Sequence, residues 1–166
     1  TCAYLLAQAL SLLGKPAAYA GTLGYGIPGA LTPSEHTTSD AVTVHRRLDQ
    51  LRAQGAGYVC MEVSSHALDQ DRVAGVRFQT AVFTNLTRDH LDYHGTMEAY
   101  GAAKALLFAW STLVLRVINI DDDFGNRLAG RPSEARLVVT SRRPFLPDDV
   151  VPQARTAEFV RAVSVK

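Results

Sequence analysis

The chain has 166 residues, a formal net charge of +1, 47% apolar residues and 20% charged residues. That length suits one α/β domain with a core and is short for two full domains, and the composition excludes disordered and fibrous classes. No basic stripe points to nucleic acid, and Gly, Lys, Arg or Gln breaks the longest apolar runs well short of a membrane span.

Residues 2–13 (CAYLLAQALSLL) read as a helix already in progress. The stretch lacks the basic start of a signal peptide, and no A-x-A-like cleavage site follows it. No Met precedes Thr1, and the expectation is that an element ahead of this helix is missing. The two cysteines, Cys2 and Cys60, lie too far apart in sequence for a metal-ligand pair or a disulfide framework, which fits a reducing cytoplasm. Residues 21–33 (GTLGYGIPGALTP) are rich in Gly and Pro; they do not fit G-x-x-x-x-G-K-[ST] and read as a flexible turn. Residues 39–54 (SDAVTVHRRLDQLRAQ) place Val42, Leu48 and Leu51 at helical spacing, with Ser39 as the N-cap and Gly55 as the stop.

Four β-branched apolar runs follow: residues 58–63 (YVCMEV), 78–84 (FQTAVFT), 113–120 (LVLRVINI) and 136–140 (RLVVT). None alternates cleanly, so strands buried on both faces are expected. Residues 96–110 (TMEAYGAAKALLFAW) form an amphipathic helix with Thr96 as its cap. The fold class is therefore α/β, with a mostly parallel sheet flanked by helices and ligands expected beyond the carboxyl ends of the strands. From Arg142 onward the chain carries Pro144, Pro147 and Pro152, as a linker or the start of a strand.

Polar clusters follow the strands directly. In Glu62-Val63-Ser64-Ser65-His66, Glu62 is a candidate ligand for a hard cation such as Mg²⁺, while a turn capped by Ser64 or Ser65 is the simpler reading. In residues 84–95 (TNLTRDHLDYHG), His90 and His94 would share a helix face, half of a zinc site, but no third His or Cys lies nearby and Gly95 ends the helix early. If the two loops lie at adjacent strand ends, Glu62 and His90 come near one another. Lys104 sits among Ala102, Ala103, Ala105 and Leu106 and reads either as a snorkelling lysine or as a buried, reactive one. Asn119 and Asp121–Asp123 follow a strand; either Asp121 or Asp122 caps a short helix ending near Gly130, or the cluster contacts a ribose or base.

Residues 61–110 taken together resemble the central domain of the Mur ligases, with a P-loop NTPase-like fold. Within that family they are most similar to the branch that adds the third peptide residue to UDP-N-acetylmuramoyl-L-alanyl-D-glutamate. The likeness continues upstream through TPSEHTTSDAVT and downstream through VINIDDD. The resemblance implies that residues 1–166 are part of an ATP-binding domain truncated at both ends. Thr1 matches the last Thr of a phosphate-binding loop of the form G-T-N-G-K-T-T, and Asn119 and Asp122 fall to ATP. It implies Glu62 as a ligand of one Mg²⁺ and His90 at a second. It makes Lys104 a lysine that is carbamylated and holds metal as a carbamate. The muramoyl substrate falls to His36, Thr37, Thr38, Ser64, Gln70 and Arg72. In this chain His36-Thr37-Thr38-Ser39 stands where the family usually has Asn-Thr-Thr-Pro, which removes a rigid turn.

The implied reaction is ATP-dependent amide ligation through an acyl phosphate, in a cytoplasmic monomer of peptidoglycan synthesis. Its partners are UDP-N-acetylmuramoyl-dipeptide and a diamino acid, with meso-diaminopimelate as the commoner choice in the family. The piece alone is expected to be inactive. A lysine-adding version, a non-catalytic relic that binds the muramoyl nucleotide, and folylpolyglutamate or cyanophycin synthetases are the alternatives.

Overall fold

The computed structural model describes residues 1–142 and 158–161. The chain divides into two compact units, Thr1–Val76 and a second beginning at Arg77. Among the described residues, no helix is long and apolar enough to cross a membrane.

The first unit contains α1 (Cys2–Leu12), β1 (Ala17–Gly21), β2 (Gly24–Ile27), β3 (Ala30–Thr32), α2 (Ala41–Ala53), β4 (Tyr58–Met61) and α3 (Ser65–Asp69). Its strand order is β3-β2-β1-β4. β1 and β4 run parallel, with Tyr19 opposite Cys60, while β1, β2 and β3 form an antiparallel meander. The meander overturns the expected flexible turn over residues 21–33. Glycine makes it feasible: Gly24 and Gly26 sit at φ +121° and +144°, and a Cβ on either would strike the backbone of Thr32 or Ala30. The strand also has a core to join. Ala17 and Tyr19 of β1 pack with Ala7 of α1 and Cys60 of β4, and Tyr4 meets the Tyr19 ring edge-on at 5.4 Å.

Two details of α2 differ from expectation. Its N-cap is Asp40, whose carboxylate accepts a hydrogen bond from the Thr43 N–H at 3.0 Å, so Ser39 is not the cap. The Ser39 side chain instead turns inward, only 7% exposed, to accept from Arg47. The buried face is built on Val44 and Leu51, while Val42 is 68% exposed. The helix ends as expected, with Gly55 at φ +91°.

The second unit contains β5 (Thr80–Phe83), α4 (Leu91–His94), α5 (Met97–Leu106) with a 3-10 turn at Leu107–Ala109, β6 (Leu115–Asn119), α6 (Asp123–Ala129), β7 (Arg136–Ser141) and β8 (Glu158–Arg161). The order is β5-β6-β7-β8 and every pairing is parallel, as the alternation of strands and helices predicts. The four runs read as strands are β4, β5, β6 and β7. Burial alternates along β5, β6 and β7, contrary to the expectation of burial on both faces. Ala81, Phe83, Ile118, Leu137 and Val139 form one core with Ala105, Phe108 and Leu128, whereas Val82 on the opposite face is 46% exposed. An unbroken apolar run reports that a strand is favourable without reporting how many of its faces are covered. Pro144, Pro147 and Pro152 lie outside the described residues.

Candidate active site

In the first unit, the polar residues gather where β1 and β4 end side by side, the end of a parallel pair at which ligands bind in such sheets. β1 delivers Gly21 and Thr22; β4 delivers Glu62. The Glu62 carboxylate accepts from the Thr22 N–H at 3.1 Å and from the Thr22 hydroxyl at 2.9 Å. Burial opposes its charge, and the Thr22 donors favour it. Gly21 makes room, since a Cβ there would lie 2.8 Å from the carboxyl carbon. Beneath it, burial first and the Glu62 charge after it push the Tyr19 phenol up.

The segment between β3 and α2 joins this cluster. The Thr37 hydroxyl lies 2.9 Å from that of Thr22. Thr38, 2% exposed, donates its hydroxyl to the Glu62 carbonyl at 3.0 Å and accepts from the Ser64 N–H at 3.0 Å. Its own carbonyl accepts from Arg72 at 3.2 Å. Arg72 also grips Gln70, with Nε 2.8 Å from Oε1 and a second guanidinium nitrogen on the same oxygen. The Ser64 hydroxyl accepts from the Ala67 N–H at 3.2 Å and so caps α3, as the simpler reading had it.

Thr37, Thr38, Glu62, Ser64, Gln70 and Arg72 are thus brought into one network, and Thr1 stands at the start of α1. His36 is exposed, and its tie to the segment is a carbonyl accepting from the Ser34 hydroxyl at 2.9 Å. Thr22 and Arg47 were missed. Thr22 had one available signal, a hydroxyl in the turn directly after Gly21; Arg47 had none, being one of several charges on a surface helix.

In the second unit the corresponding strand ends carry Asn119 and Asp122. The Asn119 amide donates to the Thr84 carbonyl at 2.8 Å. Asp122 caps α6, accepting from the Phe124 and Gly125 N–H groups at 2.9 and 3.0 Å, and its other oxygen accepts from the Leu86 N–H at 2.8 Å. Both side chains therefore tie the β5 and β6 ends together. Asp121 accepts from the Ser141 hydroxyl at 2.5 Å and from the Arg142 N–H at 2.9 Å.

A second group surrounds the buried Tyr100 ring. His94 stacks on it at 5.3 Å, His90 meets it edge-on at 5.6 Å, and the Lys104 ammonium lies 4.8 Å from its centroid. His90 is not on a helix face with His94. It stands ahead of the single turn α4 in the left-handed region, φ +53°, with its N–H donated to Asp89 at 2.8 Å. Burial lowers the Lys104 pKa while the nearby Asp89 opposes the shift; for Tyr100, burial and then Asp89 both push it up. Among the described residues, no group of three His, Cys, Asp or Glu stands ready-made for a metal. Glu62 belongs to the first unit, and His90 and Lys104 to the second.

Residues 1–144 match the family description "Mur ligase middle domain". Over 134 residues the chain is 60% identical to the UDP-N-acetylmuramoyl-L-alanyl-D-glutamate–2,6-diaminopimelate ligase of Ectopseudomonas mendocina, a match covering 81% of this chain and 28% of that protein. The ligase of the same name from Chromobacterium violaceum is 61% identical over 135 residues, covering 80% and 27%. A solved structure of a ligase of that name aligns with a TM-score of 0.77 at 40% identity, covering 84% of this chain and 29% of the other. The chain thus spans under a third of the length of these relatives. With a family match over most of its residues, an α/β fold and a close structural neighbour, the chain belongs to the Mur ligase family and carries its middle domain.

Proposed function

We infer that this chain is the ATP-binding central part of a ligase that joins 2,6-diaminopimelate to UDP-N-acetylmuramoyl-L-alanyl-D-glutamate. The observation that carries the reading is the identity of about 60% to ligases named for that reaction, across the stretch holding both polar clusters. Those names favour diaminopimelate over lysine. In the reaction, the free D-glutamate carboxylate takes the γ-phosphate of ATP. The amine of diaminopimelate then attacks the acyl carbon, loses a proton, and expels phosphate to leave the amide.

Positioning and charge neutralisation are the protein's main tasks in phosphoryl transfer. Magnesium, when bound, supplies the neutralising charge. Glu62 fits such an ion: its carboxylate meets the Thr22 hydroxyl, which in turn meets the Thr37 hydroxyl, an oxygen donor set suited to a hard cation. In the second unit, His90 and Lys104 would hold another. Burial lowers the Lys104 pKa and so favours the neutral amine, the form that adds CO₂ to give a carbamate. Thr37, Ser64, Gln70 and Arg72 would meet the muramoyl substrate, with Thr38 fixing the segment from beneath. Thr1, Asn119 and Asp122 are assigned to the nucleotide side.

The test is ligation by the full-length enzyme with UDP-N-acetylmuramoyl-L-alanyl-D-glutamate and ATP. Diaminopimelate is expected to give a tripeptide product, seen by mass spectrometry, with release of phosphate. Preferential use of lysine, or no product with either amine, would sink the reading.

A further inference from the structure

We propose that Arg47 is a positioning residue, whose one guanidinium nitrogen ties together both ends of the segment that carries Thr37 and Thr38. The inference rests on the assignment of those threonines to the muramoyl substrate. Between β3 and α2 the chain has no regular secondary structure from Pro33 to Asp40. A segment of that kind keeps its shape only if side chains hold it, because it has no ladder or helix bonds of its own. Arg47, on α2, reaches back across it. Its Nη1 donates to the Ser34 hydroxyl at 2.9 Å and to the Ser39 hydroxyl at 2.6 Å. Ser34 passes the constraint on by donating to the His36 carbonyl at 2.9 Å.

The guanidinium is itself held. Its central carbon lies 4.2 Å from the centroid of the Tyr25 ring on β2, a cation–π contact that fixes the plane of the fork. Arg47 therefore connects three parts of the first unit: the meander through Tyr25, the segment's entry through Ser34 and its exit through Ser39. Thr38, buried and bonded to Glu62, Ser64 and Arg72, holds the middle of the segment, and Arg47 holds its two ends. The space under the segment is a cavity of about 20 Å³, lined among others by Gly21, Thr37, Thr38, Ser39, Arg47 and Met61. A void of that size holds roughly one water and no ligand group. With no side chain filling it, the ends of the segment depend on the hydrogen bonds from Arg47, which together with the Thr38 anchor set where Thr37 comes to rest against Thr22.

The test uses the full-length enzyme and two readouts. Arg47→Met keeps the stem and removes the charge and the donors. Amide hydrogen exchange at residues 35–39 is expected to speed up on the substitution while β1 and β4 stay protected. The KM for UDP-N-acetylmuramoyl-L-alanyl-D-glutamate is expected to rise about tenfold, the equivalent of one or two lost hydrogen bonds, with kcat and the KM for ATP within about twofold. Tyr25→Phe keeps the ring and should behave as wild type, whereas Tyr25→Leu should reproduce part of the KM rise. Ser39→Ala removes one anchor without touching the helix and repeats the test should Arg47→Met fail to fold. Unchanged exchange in residues 35–39, or faster exchange with an unchanged KM, overturns the proposal. Failure of the wild-type enzyme to use the muramoyl substrate would overturn the functional assignment, and the exchange comparison would still decide whether Arg47 holds the segment.

Discussion

Glu62 acts through both its backbone and its side chain. Its backbone carbonyl anchors Thr38, and its carboxylate accepts from the Thr22 N–H and hydroxyl. Glu62→Gln keeps the shape and the backbone contact and deletes the charge. The expected outcome is a loss of turnover on the order of 100-fold, the scale seen when a metal site is disturbed, with the thermal midpoint nearly unchanged. An active Glu62→Gln enzyme would remove this residue from the metal assignment. The two cysteines provide a second check. Cys2 is exposed and Cys60 is buried, and burial pushes the Cys60 thiol up. Cys2 should therefore be modified first by a thiol reagent at pH 8, with Cys60 following only on unfolding. The sign for stability is fixed too. A thiol pKa raised in the folded state contributes stability that is complete below about 8.5, the unfolded value, and is lost as pH rises through the folded value. Denaturant titrations at rising pH should show that alkaline loss, and Cys60→Ala should flatten it. Of these residue-scale features, Glu62 and the Thr37–Thr38 pair were legible through family resemblance. Thr22 was not, because its partners are 15 and 40 positions away in the chain.

At the scale of elements, the caps of α3, α5 and α6 were readable, while that of α2 was placed one residue early. Thr96 accepts from the Ala99 N–H at 3.1 Å and starts α5, as its position before a helical pattern predicts. Asp122 starts α6 and also holds Leu86. Asp122→Ala should cost about 2 kcal/mol in urea unfolding, one cap plus one inter-loop bond, while Asp122→Asn should recover most of it. An Asp122→Ala protein with the wild-type midpoint would show that the tie contributes nothing. Gly125 in the first turn of that helix is pinned from two sides. A Cβ would lie 2.1 Å from the Asn119 carbonyl oxygen and 2.8 Å from the Phe83 ring. Gly125→Ala is expected to destabilise by about 1–3 kcal/mol, measured by the same titration. The meander was the least readable element. Strand propensity is carried by β-branched and aromatic residues, and residues 17–32 are dominated by Ala and Gly, whose pairing depends on the neighbours they find.

For the molecule as a whole, the described residues build two four-stranded sheets, each with interior strands flanked on both sides. Protection against exchange should follow that order. Amides of β1 in the first sheet and of β6 and β7 in the second should be among the slowest, and those of the edge strands β3 and β5 faster. A protein in which β3 outlasts β1 would not have this strand order. The parallel second sheet was legible because strands and helices alternate there in the sequence. The number of sheets was not, since each strand run says what it will become and nothing of its lateral neighbours. At this scale too, a segment spanning under a third of its relatives' length carries two substantial polar clusters at strand ends.

The contact between Thr22 and Thr37 fixes a polarity. A hydroxyl has one proton, and Thr22 donates its own to the Glu62 carboxylate. For the 2.9 Å contact to Thr37 to be a hydrogen bond, Thr22 must accept there, so the Thr37 proton points inward. What Thr37 then presents outward is a pair of lone pairs. A ligand meeting it there must bring a donor, a sugar hydroxyl or an amide N–H. A phosphate or carboxylate oxygen would face electron density, and such anionic groups belong instead with the donors of Arg72.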